Sequence, residues 1–420
     1  MIDYQNGEID VNSRFLKFAT PQEVFKDYIS RIISIKEFQQ LDIRNALNRV
    51  SYEDVVAPEN FPGFRKSTVD GYALKARDTH GASDGLPALI QVVGEVKISQ
   101  EYAGTLKSSE AVWVPTGGIV PRGADAVVMV EHTQVFGNYI EVMKPVAPGE
   151  NVIESDEDIA TDEQLVAKGI RFRLGHIHAC LELGITSVKV YRKVKIGIIS
   201  TGDEIVEPNA AKKMGQVRDG NTYALESWLK TKGGEAVRVC HVPDNPELLT
   251  QAVRENLNSY DVLVICGGSS VGTRDYTVDA IERSGKPGVI FHGVLTQPGK
   301  PTIFALIDEI PVLGLPGNPV SFMVSSRIFL TQVLRKREGE CVLYPEPDGM
   351  VRLKRNVPSR QGRESYVRVK LKPENGELWA EPIFGESALV SNMLKADGVV
   401  RIPVGHEGIY AGEFAEFYRF

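Results

Sequence analysis

The spacing of hydrophobic residues changes along this chain, and each change marks a different kind of element. After Thr20-Pro21, a capping residue followed by proline in the first turn, Val24, Tyr28, Ile32 and Ile33 stand at helical intervals within residues 21–50. That pattern predicts an amphipathic opening helix. From about residue 53 to 146 the chain breaks into short β-rich pieces, LIQVVGEVKI, AVWVP, DAVVMVEHT and YIEVM, separated by glycine and proline. A small β-domain is expected there. Residues 147–190 return to a mixed pattern with a helix over Leu174–Leu183, so the β-domain reads as an insertion into an elongated segment that the chain leaves and re-enters.

Between 191 and 340 apolar runs alternate with helical patterns: KVKIGIIST, NTYALESWLKTKGG, EAVRVCHV, PELLTQAVRENL, DVLVICGG, DYTVDAIERSG, IPVLGLPGN and PVSFMVSSRIFLTQVLRKR. Such alternation predicts a parallel or mostly parallel sheet with helices on both faces, and ligands bind such sheets at the carboxyl ends of the strands. The unusual loops fall at those ends: Thr201-Gly202-Asp203-Glu204, Asp244, the glycine turn from Gly267, and Leu315-Pro316-Gly317-Asn318-Pro319. After about Glu340, GMVRLKRNV, ESYVRVKL, ELWAEPI, GVVRIPV and GEFAEFYRF read as strands of a second β-domain. The expected fold is therefore multidomain α/β plus β. A central doubly wound, mostly parallel α/β domain (191–340) is joined by an elongated linking domain (1–52 plus 147–190), an inserted small β-domain (53–146) and a C-terminal β-barrel-like domain (341–420).

The stretch DVLVICGGSSVGTRD carries the most chemistry. Val262, Leu263, Val264 and Ile265 form a strand covered on both faces, and Gly267, Gly268, Ser270 and Gly272 then let backbone N–H groups approach an oxyanion. Asp275 follows at a helix start, where a carboxylate either caps the helix or holds a divalent cation beside phosphates. Asp219 and Asn221 precede another helix, and capping is the economical reading for them.

Composition narrows the partners. The chain has 420 residues, of which 25% are charged, with a formal net charge of −7, which argues against nucleic acid as the first partner while leaving room for a local basic pocket. Cys180, Cys240, Cys266 and Cys341 are far apart, without CxxC or histidine at zinc spacing, and read as buried free thiols. No apolar run approaches the roughly 18 residues of a membrane span, and the first residues lack a signal-peptide pattern. The cytoplasm is the expected location, with no membrane partner.

Seven motifs bring a resemblance into view: Ser67-Thr68-Val69-Asp70-Gly71-Tyr72-Ala73, Pro115-Thr116-Gly117-Gly118, Gly123-Ala124-Asp125-Ala126-Val127-Val128, Thr201-Gly202-Asp203-Glu204, GGSSVGTRDYT, Pro298-Gly299-Lys300-Pro301 and Leu315-Pro316-Gly317-Asn318-Pro319. In this order and spacing they resemble the MoeA family, the molybdopterin molybdenumtransferases, which includes the E domain of gephyrin. The resemblance covers nearly the whole chain. It implies an elongated homodimer of four-domain subunits that takes adenylylated molybdopterin and molybdate, cleaves the phosphoanhydride with Mg²⁺, and releases AMP and molybdenum cofactor. A molybdopterin adenylyltransferase is the implied donor of substrate.

The resemblance distributes roles over residues. Glu204, Asp244 and Asp275 are implied to bind metal and to position water or molybdate oxygens, with a helix cap or turn aspartate as the plain alternative for each. Asp70 is implied to reach the site from the partner subunit with Thr116 and Asp158, although Asp70-Gly71 alone would pass for a hairpin turn. Molybdate, a tetrahedral dianion, calls for cations and hydroxyls, with Lys300 the leading candidate, joined by Arg363, Arg368 and Ser391; a solvated face is the plain alternative for the two arginines, and an ordinary loop hydroxyl the preferred reading for Ser391. Thr201, Gly202, Asp203, Pro301, Pro316, Gly317 and Asn318 complete the pterin cradle. Gln297 departs from the family, which usually shows lysine or arginine before the Pro-Gly-Lys turn, and Ser269 and Asn209 are smaller departures. Gln297 keeps open a carrier or scaffold that binds molybdopterin with weak catalysis. A tungstate-inserting homologue also stays open, because molybdate and tungstate are tetrahedral dianions of nearly equal size. A nucleotide or phosphosugar enzyme would explain the sheet but not the Ser67–Ala73 motif.

Overall fold

The computed structural model describes residues 18–267, 276–341, 344–374 and 376–420. Its centre is a six-stranded sheet built from β1 (Lys195–Thr201), β2 (Glu235–Val242), β3 (Val262–Cys266), β4 (Pro287–His292), β5 (Ile303–Ile307) and β6 (Ile310–Leu315), in the spatial order β2-β1-β3-β6-β5-β4. The pairs β2-β1, β1-β3 and β3-β6 are parallel, whereas β5 runs antiparallel to both neighbours. The sheet is thus mixed. The continuous apolar runs follow from two covered faces. Val262 and Val264 join Leu225 and Leu229 of α1 (Gly220–Thr231) and the helical run α4 (319–337), while Leu263 and Ile265 pack on α2 (Pro246–Asn256) and α3 (Tyr276–Ser284). Alternate side chains of one strand serve opposite cores. The run α4 comprises Pro319–Ser325, a π-helical stretch Ser326–Leu330 and Thr331–Arg337.

Side-chain caps set the helix starts. Asp219 Oδ1 accepts from Thr222 N at 3.1 Å at the head of α1, and Asn245 Oδ1 accepts from Leu248 N at 2.9 Å at the head of α2, which Pro246 opens. At the N-terminal end Thr20 and Glu23 form a reciprocal capping box, as Thr20-Pro21 suggested. The helical stretch there ends at Arg31. Val24 and Tyr28 on it and Ile32 just past it are buried and Ile33 is not, and the buried stripe packs into the α/β core beside Phe304 and Phe329 rather than into the linking domain expected for residues 1–52.

Three strand pairs join the segment before the small sheet to the segment after it. Phe38–Asp42 pairs with Ser187–Tyr191, Val55–Val56 with Gln164–Val166, and Lys66–Ser67 with Val152–Ile153, each antiparallel. Enclosed by these pairs is a second six-stranded sheet that contains Gly71–Leu74, Glu110–Val114 and Ala126–Met129. The helix expected over 174–183 is present as Leu174–Glu182. At the C-terminus, Glu364–Glu374, Glu377–Pro382, Gly349–Leu353, Phe414–Arg419 and Gly398–Ile402 pair in a ring that the bond pattern between Glu364–Glu374 and Gly398–Ile402 closes into a five-stranded barrel. Closure leaves no free edge in that ring. Among the described residues no helix is long and apolar enough to cross a membrane. The four cysteines are free, but only Cys180 and Cys266 are buried as expected; Cys240 is half-buried and Cys341, past the end of the last helix of the α/β domain, is exposed.

Candidate active site

The parallel strands β1, β2, β3 and β6 present their carboxyl ends, Thr201, Val242, Cys266 and Leu315, on one rim. Because β4 also points that way and β5 starts there, the Gly293–Thr302 loop between them shares the rim. With about 4.8 Å between neighbouring strands, the loops from β1 to β5 span roughly 14 Å. That is room for an extended ligand with two phosphates. The chain passes from β1 to β2 on one side and later to β3 on the other, so the crevice of a doubly wound sheet lies between β1 and β3.

At that crevice the backbones nearly touch. Gly267 has φ +102°, and a Cβ there would collide with the Thr201 carbonyl. Gly202 (φ +136°) makes similar room: an added methyl would lie 3.0 and 3.1 Å from the two Glu204 carboxylate oxygens, which fold back over it. Asp203 Oδ1 accepts from Asp244 N at 3.0 Å and so ties the loop after β1 to the loop after β2. Glu204 is exposed and Asp244 half-buried. Asp275, Gly268, Ser270 and Gly272 lie outside the described residues. Among the described residues no three of His, Cys, Asp and Glu converge on a metal-sized space. Glu204 and Asp244 nonetheless offer hard carboxylate oxygens on adjacent loops, the donor type that suits Mg²⁺.

The turn after β6 is already partly occupied. Pro316 is buried and Gly317 exposed, and the Gly317 carbonyl accepts from Asn221 Nδ2 at 2.8 Å, which gives Asn221 a role other than capping. Asn318 stands before α4, but the Val320 N–H donates to the Ser387 carbonyl at 3.1 Å and Asn318 Nδ2 approaches Ser387 Oγ at 3.4 Å. A barrel loop therefore covers the helix start. Sequence reasoning missed Ser387, since nothing in its neighbourhood marks a contact made across nearly seventy positions. Arg368 anchors the same loop through Gly385 O at 2.6 Å and Glu386 O at 3.3 Å. Buried among neutral partners, its guanidinium is pushed below its usual pKa by desolvation. Ser391 is exposed on the short helix Val390–Lys395 that follows.

The Pro-Gly-Lys turn meets the barrel directly. Thr296–Gln297 pairs in parallel with Glu364–Ser365, which sets Ser365 opposite Gln297, and Glu364 N donates to Leu295 O at 2.9 Å, so Arg363, just before the strand, stands beside Leu295 on the loop that leads into the turn. Beneath the turn, Gly299 (φ +107°) faces Ser325 Oγ, and Thr302 Oγ1 lies 2.7 Å from both Gly299 O and Ser325 Oγ. Pro301 is half-buried between them.

Asp70 and Thr116 meet in the inserted β-domain. Asp70 Oδ1 accepts from Thr116 N at 2.6 Å and from Thr116 Oγ1 at 2.8 Å, and these two bonds hold the exposed carboxyl below its ordinary pKa. Gly117 N donates to Ser67 O at 2.8 Å, so the Ser67–Tyr72 and Thr116–Gly118 loops form one structure. Asp158 is exposed on the segment where Ile159 bridges Phe61. None of these groups bonds to the rim among the described residues. A depressed folded-state pKa means that the Asp70 clasp contributes fully above the unfolded value and is lost as pH falls through the folded one. The Thr116 amide resonance should accordingly titrate with a midpoint below roughly 3.9, and Asp70→Asn should abolish that transition.

Three family models divide the chain much as the structure does. Residues 19–184 match the MoeA N-terminal region (domain I and II), residues 197–336 a probable molybdopterin binding domain, and residues 350–420 the MoeA C-terminal region (domain IV). A molybdopterin biosynthesis protein of Methanocaldococcus jannaschii is 35% identical over 404 residues, covering 94% of this chain and 95% of that one. This chain belongs to the MoeA family. A molybdopterin molybdenumtransferase of Synechococcus elongatus is 32% identical over 371 residues, 87% of this chain and 90% of its own. The crystal structure of a molybdopterin biosynthesis MoeA protein from Pyrococcus horikoshii OT3 superimposes with a TM-score of 0.83 at 28% identity, covering 96% of this chain and all of that one (100%). The MoeA family is a transferase family of molybdenum-cofactor biosynthesis, and the chain is an enzyme of that class.

Proposed function

We propose that this enzyme inserts molybdate into adenylylated molybdopterin and releases AMP, with Mg²⁺ held by Glu204 and Asp244 and by Asp275. The observation that carries the reading is the rim itself. The close-packed Thr201–Gly267 crevice, the Asp203–Asp244 tie and the Pro-Gly-Lys turn stand on one edge of one sheet. When bound, the cation neutralises charge on the phosphoanhydride oxygens and aligns the attacking group. Gly202 and Gly267 let main-chain donors approach the pyrophosphate, Asp203 keeps Asp244 in register with the β1 loop, and Lys300 with Arg363 attracts the tetrahedral dianion. Gln297 contributes amide hydrogen bonds in place of a charge.

Asp70 and Thr116 lie on the inserted domain and Asp158 on the segment that returns from it, and we assign all three to the rim of a second copy, so that the working unit is a homodimer in the cytoplasm supplied by a molybdopterin adenylyltransferase. The test is AMP release from adenylylated molybdopterin with Mg²⁺, with and without molybdate. Release that depends on molybdate and is lost in Asp275→Ala and Glu204→Gln is the expected result. Binding of the adenylylated pterin with no AMP release at any molybdate concentration would make the protein a carrier or scaffold instead.

A further inference from the structure

The N-terminal segment reaches the Pro-Gly-Lys turn before the first helix begins. Ala19 bridges Val294 in parallel, with Ala19 N donating to Gly293 O at 3.1 Å and Leu295 N donating to Ala19 O at 2.7 Å. This places the Phe18 ring under Lys300, whose Nζ sits 4.6 Å from the ring centroid. Gly293, at φ +100°, leaves the space: a Cβ there would lie 2.6 Å from two ring carbons of Phe18. Val294 N donates to Lys300 O at 2.9 Å and so fixes the lysine backbone against the same segment. Among the described residues no carboxylate pairs with the Lys300 ammonium.

We propose that Phe18 is a positioning residue for Lys300, an aromatic seat that orients the ammonium toward a bound oxyanion without neutralising it. A carboxylate in that place would also hold the lysine, but it would cancel the charge an oxyanion needs. The ring face attracts a cation through its quadrupole and carries no net charge. The seat therefore selects for geometry while the full positive charge stays available to ligand. The same arrangement explains why glycine stands at 293, where any side chain would displace the ring. The proposal rests on the reading of Lys300 as the molybdate-holding cation.

The experiment replaces Phe18 in the full chain with mono- and trifluorophenylalanine, which keep the ring's shape while draining electron density from its face, and with leucine and tyrosine. AMP release is measured against molybdate concentration, and binding of molybdate alone is measured by calorimetry, with Lys300→Ala as reference. Graded fluorination should raise the half-saturating molybdate concentration in steps, by about two- to fivefold for the trifluoro ring, the ratio expected of an exposed cation–π contact. The maximal rate and the melting temperature should stay unchanged, tyrosine should match wild type, and leucine should match the trifluoro ring. A flat fluorination series, or leucine and tyrosine weakening binding equally with a lower melting temperature, would overturn the seat and leave only packing. If no AMP is released while molybdate binding still weakens with Lys300→Ala and with fluorination, the transferase reading fails and the seat stands. Normal turnover with binding indifferent to the ring gives the reverse.

Discussion

Gly267→Ala should destabilise the α/β domain by about 2–5 kcal/mol and lower kcat/KM by roughly two orders of magnitude. The stability loss has two sources. At φ +102° an alanine occupies backbone space that only glycine enters easily, and its methyl would also strike the Thr201 carbonyl at the end of β1. Strain of the first kind costs about 1–2 kcal/mol and overpacking about 1–3. Neither can relax locally, because Gly267 N is held by Leu315 O at 3.3 Å on the far side and Thr201 is locked into the β1–β2 register. The strands would have to part at the crevice where the pterin phosphates are proposed to lie, and displacements near 1 Å can cost about a hundredfold in rate. The protein offers its own probes: Trp113 lies in the inserted domain, Trp228 packs on the α/β core and Trp379 stands in the barrel. Denaturant titration of a variant retaining Trp228 alone isolates the α/β transition. Gly317→Ala is the control, since an added methyl there meets nothing within 4 Å and should leave that transition near wild type. Equal midpoints for both variants would show that the close approach is not required.

What the sequence made legible, and what it did not, follows the range of each interaction. The strands β1, β2, β3 and β6 were readable because both faces are covered and apolar residues run continuously, and the loops at their ends were readable because glycine, proline and carboxylates interrupt those runs. Capping by Thr20 and Asp219 was equally local. The apolar stripe of the opening helix was legible too, but not the surface that covers it: Tyr28 finds Phe304 across more than 270 positions. Strand direction left no trace either, so the antiparallel β5 is new in the structure. At the site, Asp203 reaching the Asp244 amide, Ser387 covering the start of α4 and Phe18 under Lys300 are all long-range contacts among residues that are individually ordinary. The charge of a tetrahedral dianion named Arg363 and Arg368 together. Only the structure separates them, with Arg363 beside Leu295 on the loop that leads into the Pro-Gly-Lys turn and Arg368 bound to the carbonyls of the covering loop.

The second large effect is expected where the barrel docks on that turn. Glu364 is wholly buried; Tyr366 donates its hydroxyl to one carboxylate oxygen, and Arg401 Nη2 donates to the other at 2.9 Å. Arg401 Nη1 also donates to Glu416 at 3.0 Å, to which Tyr418 adds a bond at 2.9 Å, and the carboxylates hold the Arg401 guanidinium above its usual pKa against the desolvation that opposes them. Glu364→Ala would leave Arg401 and the Tyr366 hydroxyl buried with partners missing, which should destabilise the barrel by about 3–5 kcal/mol, with Glu416 keeping the loss toward the lower end. Replacing both ions by apolar residues of similar size, Glu364→Leu with Arg401→Met, should recover much of that loss, because neither desolvated charge remains. The barrel transition is read from Trp379 with the other tryptophans replaced, and Glu364→Leu and Arg401→Met singly, with the double variant, close a thermodynamic cycle. Since Glu364 N is also the donor that ties the barrel to Leu295, the apolar pair tests a further point. If it restores the melting transition but not turnover, the ion pair is retained for the angle at which the barrel delivers Arg363 to the rim; if it restores both, packing alone sets that angle.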